Sequence, residues 1–238
     1  MKIENILKFV VMVGLVYANG HEAAAQTAVP STFANITIDG SFSDWAHVPL
    51  AYTAAEGSSA AIQYDNVYIA NDANDLFIRV TLYSPRADAF ANGLDNIFID
   101  GDGNASTGYQ VAGIGSEMLI QNGSGYQEKG GGFNEGAINN LGWSLAGSGD
   151  SLDFEFEVSL AAAYASNSAL VFDGSTIAVQ LEGDDTGFNN VAFAPSSGGF
   201  VYTLATAPVP EPSTAGLVCV GFGLLILTRR LIRQYQTH

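Results

Sequence analysis

Residues 62–83 read IQYDNVYIANDANDLFIRVTLY, and this stretch decides the fold class. Leu76, Ile78, Val80 and Leu82 alternate with Phe77, Arg79, Thr81 and Tyr83, the period of two that puts successive side chains on opposite faces of a strand. The apolar run 62–70 precedes it, and Asn71-Asp72-Ala73-Asn74-Asp75 between them is turn chemistry, so the pair reads as a β-hairpin. Working outward, similar short runs stand at 36–38, 96–100, 117–121, 142–145, 152–159, 176–182 and 200–204, separated by Gly, Asn, Asp and Ser. Phe154, Phe156 and Val158 again alternate with Asp153, Glu155 and Glu157. Only LAAAYAS at 160–166 reads as helix, and it is short. About nine strands with little helix predict an all-β, antiparallel sandwich of jelly-roll or Greek-key type.

Composition agrees. The chain has 238 residues, 47% of them hydrophobic, with 27 glycines and only 13% charged residues, which suits an exported β protein better than a helical cytosolic enzyme. Its formal charge is −16. Between Gln26 and Ala207 only Arg79, Arg86 and Lys129 oppose 21 acids, a net −18. A nucleic-acid partner is excluded on that balance, because phosphates would be repelled.

The two ends read as addresses. Residues 1–25 have Lys2 and Lys8, an apolar segment FVVMVGLVY at 9–17, and Ala23 and Ala25 at the −3 and −1 positions of an A-x-A cleavage site, the pattern of a secretory signal helix. At the other end, AGLVCVGFGLLIL at 215–227 is followed by Arg229, Arg230 and Arg233, the stop-transfer pattern of a transmembrane helix whose basic end stays cytoplasmic. The predicted division is 1–25 signal peptide, 26–205 sandwich, 206–213 Pro-rich stalk, and 214–238 transmembrane helix with basic tail. The sole Cys, Cys219, lies in that tail, so the body depends on its core or on a metal for stability.

Pro210-Glu211-Pro212, followed by the apolar segment and the Arg cluster, resembles the PEP-CTERM sorting signal of Gram-negative bacteria. The resemblance implies an exosortase-type membrane protease as partner, membrane attachment before processing, and a final place at the cell surface or in the extracellular matrix, often beside polysaccharide. Prolines keep the motif extended, which suits access by a protease.

In the body, Asp100-Gly101-Asp102-Gly103-Asn104 places oxygen donors at alternate positions of a Gly-rich loop, a pattern suited to calcium. It is not an EF-hand, since Val111 stands at the twelfth position, and Glu117 on the next strand is the candidate closing ligand. A plain Asx/Gly turn explains the same residues equally well. Asp184-Asp185 forms a second acidic turn, read as solvated.

Sugar binding needs aromatic platforms, and Tyr64, Tyr109, Tyr126 and Trp143 are the candidates. Catalytic constellations are scarce. His47 is the body's one histidine, no G-x-S-x-G or H-E-x-x-H occurs, and Asp153, Glu155 and Glu157 are explained by a polar outer strand face. Haem ligation would rest on His47 and Met118 alone.

Four patches of the body resemble carbohydrate-binding module family 9 and the wider DOMON-like group. They are Ile38-Asp39-Gly40 with Asp44-Trp45 and Pro49; the hairpin 67–78; Ile99-Asp100-Gly101-Asp102-Gly103-Asn104 with Thr107-Gly108-Tyr109; and 154–158. The resemblance implies a sandwich that binds sugars or, in some members, haem. The expectation is an exported, surface-sorted, non-catalytic module that binds polysaccharide, with calcium as an optional brace. The alternatives are a structural or adhesive protein without a glycan site, and a glycan-active enzyme.

Overall fold

The computed structural model describes residues 26–208 except 57–60, 92, 131 and 188. Ala23 and Ala25, Pro210, Glu211 and Pro212, and Arg229, Arg230 and Arg233 lie outside the described residues, as do both expected terminal helices. Among the described residues no helix is long and apolar enough to cross a membrane.

The strands in chain order are β1 (Thr27–Val29), β2 (Leu50–Thr53), β3 (Tyr64–Asn71), β4 (Asp75–Leu82), β5 (Asp95–Asp100), β6 (Tyr109–Val111), β7 (Ile114–Ser116) and β8 (Met118–Gln121). There follow β9 (Ser124–Lys129), β10 (Gly132–Asn139), β11 (Ser144–Gly147), β12 (Asp153–Ser159), β13 (Ala163–Tyr164), β14 (Thr176–Asp184), β15 (Asn190–Ala194) and β16 (Phe200–Thr203). A single 3-10 turn, Phe42–His47, precedes β2.

The β3–β4 hairpin forms as its pattern requires. Ile69 pairs with Ile78 and Ala70 with Phe77. Asp72 closes the turn, its carboxylate accepting the amides of Asn74 (2.7 Å) and Asp75 (2.8 Å). This hairpin is the centre of a five-stranded sheet, β11-β12-β4-β3-β2. The other sheet runs β1-β16-β14-β5-β8-β9-β10-β13 with β15 added beside β14, and β6 and β7 form a separate ribbon. Strand pairing among the described residues is antiparallel except between β1 and β16.

The main core lies between the sheets. Ile69, Ile78 and Val80 from one meet Ile97, Ile99, Ile120 and Val179 from the other, and Phe156 and Tyr202 belong to the same cluster. Burial of each such aliphatic side chain contributes about 1.5–3 kcal/mol. Each sheet also carries an apolar cluster on its outer face. Trp45 covers Ala70 and Phe77 on the five-stranded sheet, and Ile114 with Val111 covers Phe98 and Leu119 on the nine-stranded one. Phe77 is therefore buried although its period assigns it to the outer face: the turn carrying Trp45 lies over it.

The all-β expectation holds, with corrections. Among the described residues sixteen strands form where about nine were expected: β1, β2, β6, β7 and β13 have only two to four residues and carry too little alternation, and β9 and β10 lie in the Gly-rich segment 122–139, which has no apolar period. Run 36–38 is not a strand; Thr37 donates its amide to Asp44 Oδ2 (2.8 Å), tying the segment to the 3-10 turn. Run 160–166 is not a helix. Ala163 and Tyr164 pair with β10, and that tertiary pairing outweighs the helix propensity of the run's four alanines.

Candidate functional site

Asp100 ends β5, Asp102 stands in the following loop, and Glu117 lies one residue before β8. One carboxylate oxygen from each comes within 4.8 Å of the other two. Two glycines set the path of the loop that carries them. A Cβ on Gly101 would lie 2.0 Å from the carbonyl oxygen of Val171, and Gly103 sits at φ +68° with only 2.6 Å to the carbonyl oxygen of Thr176. Only glycine fits both positions, which is the physical content of the D-G-D-G-N pattern.

Within the loop, the amide of Asn104 donates to Asp100 Oδ1 (3.1 Å) and Asp102 Oδ1 (2.8 Å), and Thr107 Oγ1 donates to Asp102 Oδ2 (3.0 Å). Glu117 Oε2 accepts the amide of Gly101 (3.0 Å), while its Oε1 is buried with no hydrogen-bond partner. Burial pushes the Glu117 carboxyl up to about 7. Burial, then the charge of Asp102, pushes Asp100 up to about 6. Three crowded carboxylates with a free inward oxygen suit a hard cation. The side chain of Asn104 is turned to its own loop, where Oδ1 accepts the amide of Ser106 (3.1 Å).

The four nominated aromatics do not share a groove. Tyr64 is buried and gives its hydroxyl to the carbonyl of Glu182 (2.9 Å). Trp143 packs on the main core, 5.2 Å from the Phe156 ring. Tyr109 and Tyr126 are half-buried in the outer cluster of the nine-stranded sheet, Tyr109 stacked on Phe98 at 6.4 Å. Tyr64 nevertheless forms one wall of a cleft of about 220 Å³ at the seam between the sheets, lined also by Tyr52, Gln63, Phe193 and Ser196. Tyr52 is braced edge-on against Phe200, ring centres 5.5 Å apart. Tyr52 and Phe193 are half-buried and Ser196 is exposed, so apolar faces and hydroxyl or amide groups border one opening. Sequence reading missed this cleft because Tyr52 and Phe193 stand 141 positions apart on different sheets.

The polar outer face expected of β12 holds only in part. Glu155 is 0% exposed. Its Oε1 accepts the amides of Asp39 (2.9 Å) and Gly40 (2.7 Å), and its Oε2 accepts Trp45 Nε1 (2.7 Å). This carboxylate holds the Ile38-Asp39-Gly40 turn and Trp45 together, which explains that motif mechanically. Asp153 takes Arg79 in a two-pronged pair (2.9 and 2.6 Å), and the guanidinium lies 4.7 Å from the Phe42 ring centre and 5.0 Å from that of Tyr68. Both acids are structural.

A second group of buried acids lies on the outer face of the nine-stranded sheet. Gln121, Asn96 and Glu182 are in direct register across β8, β5 and β14. Gln121 Nε2 donates to Asn96 Oδ1 (2.8 Å), and Asn96 Nδ2 donates to Glu182 Oε2 (3.1 Å). Asp184 also bonds Asn96. Glu182, Gln180 and Asp184 are 0%, 0% and 4% exposed, and each keeps one side-chain oxygen without a partner. Burial, then Asp184, pushes Glu182 up to about 7. Of the acidic turn, Asp184 is buried and Asp185 is half-buried; Asp185 accepts the amides of Asn189 (3.0 Å) and Gly187 (2.8 Å), which hold its carboxyl low.

Fold and sites define an all-β sandwich with a carboxylate-lined loop at one edge and an aromatic cleft at its seam. No protein-family model matches the chain, and no curated protein matches it in sequence. Among solved structures, it is similar to a carbohydrate binding module family 9 from Caldicellulosiruptor kristjanssonii in complex with cellotriose: 14% identity, TM-score 0.46, covering 77% of this chain and 96% of that one. The same module in complex with glucose gives 14% identity and a TM-score of 0.46 over 78% and 99%.

Proposed function

We propose that the sandwich is a non-catalytic glycan-binding module, exported through its signal segment and held at the membrane by its tail until an exosortase-type protease processes it. The export and sorting steps rest on residues 1–25 and on the Pro-Glu-Pro tail. The seam cleft is the observation that carries the binding reading. Tyr52 and Phe193 supply apolar faces for the C–H face of a pyranose, and Gln63 and Ser196 supply hydrogen-bonding groups for its hydroxyls. The partner is the extracellular polysaccharide of the host surface. Calcium in the Asp100–Asp102–Glu117 loop braces the sheet end and is not itself the recognition element.

The test is retention of the purified protein on that polysaccharide, with Tyr52→Ala and Phe193→Ala beside the parent. Each substitution is expected to weaken binding at least roughly tenfold, the loss of about 1.4 kcal/mol or more of stacking. Unchanged retention by both variants overturns the cleft as the site. No retention by the parent favours the structural or adhesive reading, to which the division of Tyr64, Tyr109, Tyr126 and Trp143 between two clusters already lends weight.

A further inference from the structure

The body contains three basic residues, and each has its own acid. Arg79 pairs with Asp153, Arg86 with Asp88, and Lys129 with Glu135. None of these pairs includes Glu182 or Asp184. These two carboxylates stand on one strand and converge on a single neutral donor, Asn96 Nδ2. Glu182 Oε1, Asp184 Oδ1 and Gln180 Oε1 are buried without a hydrogen bond. Burying an uncompensated carboxylate costs several kcal/mol, so the charge here must be cancelled by a cation or by protons.

We propose that Glu182 and Asp184 are the anionic half of a second divalent-cation site, on the outer face of the nine-stranded sheet and independent of the Asp100 loop. Three features fit a hard, oxygen-preferring cation such as calcium. Every unpartnered atom is an oxygen. Gln180 offers a neutral amide oxygen on the same face, since positions 180 and 182 of β14 point to one side. No histidine or cysteine stands in the row, which disfavours softer metals.

The neighbouring Asp95 also keeps a buried oxygen, Oδ1, without a partner, but it stands one position from Asn96 on β5 and so faces the other side of the sheet. It is 2% exposed, and its Oδ2 accepts the amide of Phe90 (2.7 Å), fixing that residue at φ 61° with its ring against Tyr64 and Phe156. Among the described residues only Asp100, Asp102 and Glu117 bring three carboxylates within 4.8 Å. The second site, with two, binds more weakly than the loop.

The test uses the purified protein, stripped with chelator and titrated with calcium alone at alkaline pH by calorimetry. A parallel titration with terbium is excited through tyrosine, since the Tyr64 hydroxyl bonds the Glu182 carbonyl. The parent is expected to bind two ions, Asp102→Asn to keep one with its tyrosine-sensitised emission, and Glu182→Gln/Asp184→Asn to keep only the tighter one. Should the double variant fail to fold, Glu182→Gln alone, verified by circular dichroism, is expected to weaken the second ion at least tenfold. Asp102→Asn binding no ion, or the Glu182 variants binding as the parent does, overturns the proposal. Neither outcome touches the glycan reading, which fails separately if the polysaccharide is not retained.

Discussion

Glu155 and Glu182 are the same residue type, both 0% exposed, each on the outer face of a different sheet. Their surroundings differ in every other respect. Glu155 accepts three N–H donors across its two oxygens. Glu182 accepts one and lies beside a second carboxylate. A buried carboxylate with its lone pairs filled is a structural tie, because the donors replace its lost hydration. One left half-filled beside another acid stores unfavourable energy until a counter-ion or a proton arrives. Burial alone does not tell the two apart; the donor count does.

That contrast can be broken most sharply at Glu155. Glu155→Ala strands Trp45 Nε1 and two backbone amides, and should cost about 3–5 kcal/mol in chemical denaturation. A cost under about 1 kcal/mol would remove the distinction. Gly101→Ala comes next, at about 2–4 kcal/mol, since its methyl would overlap the Val171 carbonyl and the chain must shift. Its far-ultraviolet spectrum should stay native while calcium affinity falls.

Glu182→Gln has the opposite sign. In chelator at alkaline pH it should stabilise the protein by about 1–2 kcal/mol, because it removes a buried, uncompensated charge and keeps the shape. With calcium present the gain should vanish.

The smallest effect is the pH dependence. Burial first pushes Asp95, Glu117, Glu128 and Glu182 up to about 7, and Asp100 up to about 6. The folded chain therefore holds protons that the unfolded chain has already released. Their contribution is complete below the ordinary carboxylate range and is lost as pH rises through about 6 to 7. Thermal scans in chelator should show a higher Tm near pH 5 than near pH 8, by several degrees. Calcium should raise the pH 8 value most, since it replaces the protons at Asp100, Glu117 and Glu182. A flat profile would mean that these carboxylates already have counter-charges.

Much of the sandwich was legible because its signals are local. The alternation at 76–83 and the Asx turn before it appear as written, and D-G-D-G-N is a loop held by glycines that nothing else could replace. The short strands β6, β7, β13 and β15 were not legible, because two to five residues carry no period of their own. The aromatic platforms were misplaced for a related reason: Tyr64 looks exposed beside Asp65 and Asn66, yet its face of β3 turns to the core.

The sequence by itself determined the fold class, the strand phases, the acidic balance and the positions where only glycine fits, since each follows from neighbouring residues. Tertiary structure alone decided which acids are tied and which are left wanting a counter-charge. Glu155 is 110 positions from Trp45, and Glu182 is 86 from Asn96. Whether a buried carboxylate finds three donors or one depends on which strands the fold sets side by side, and no local pattern records that.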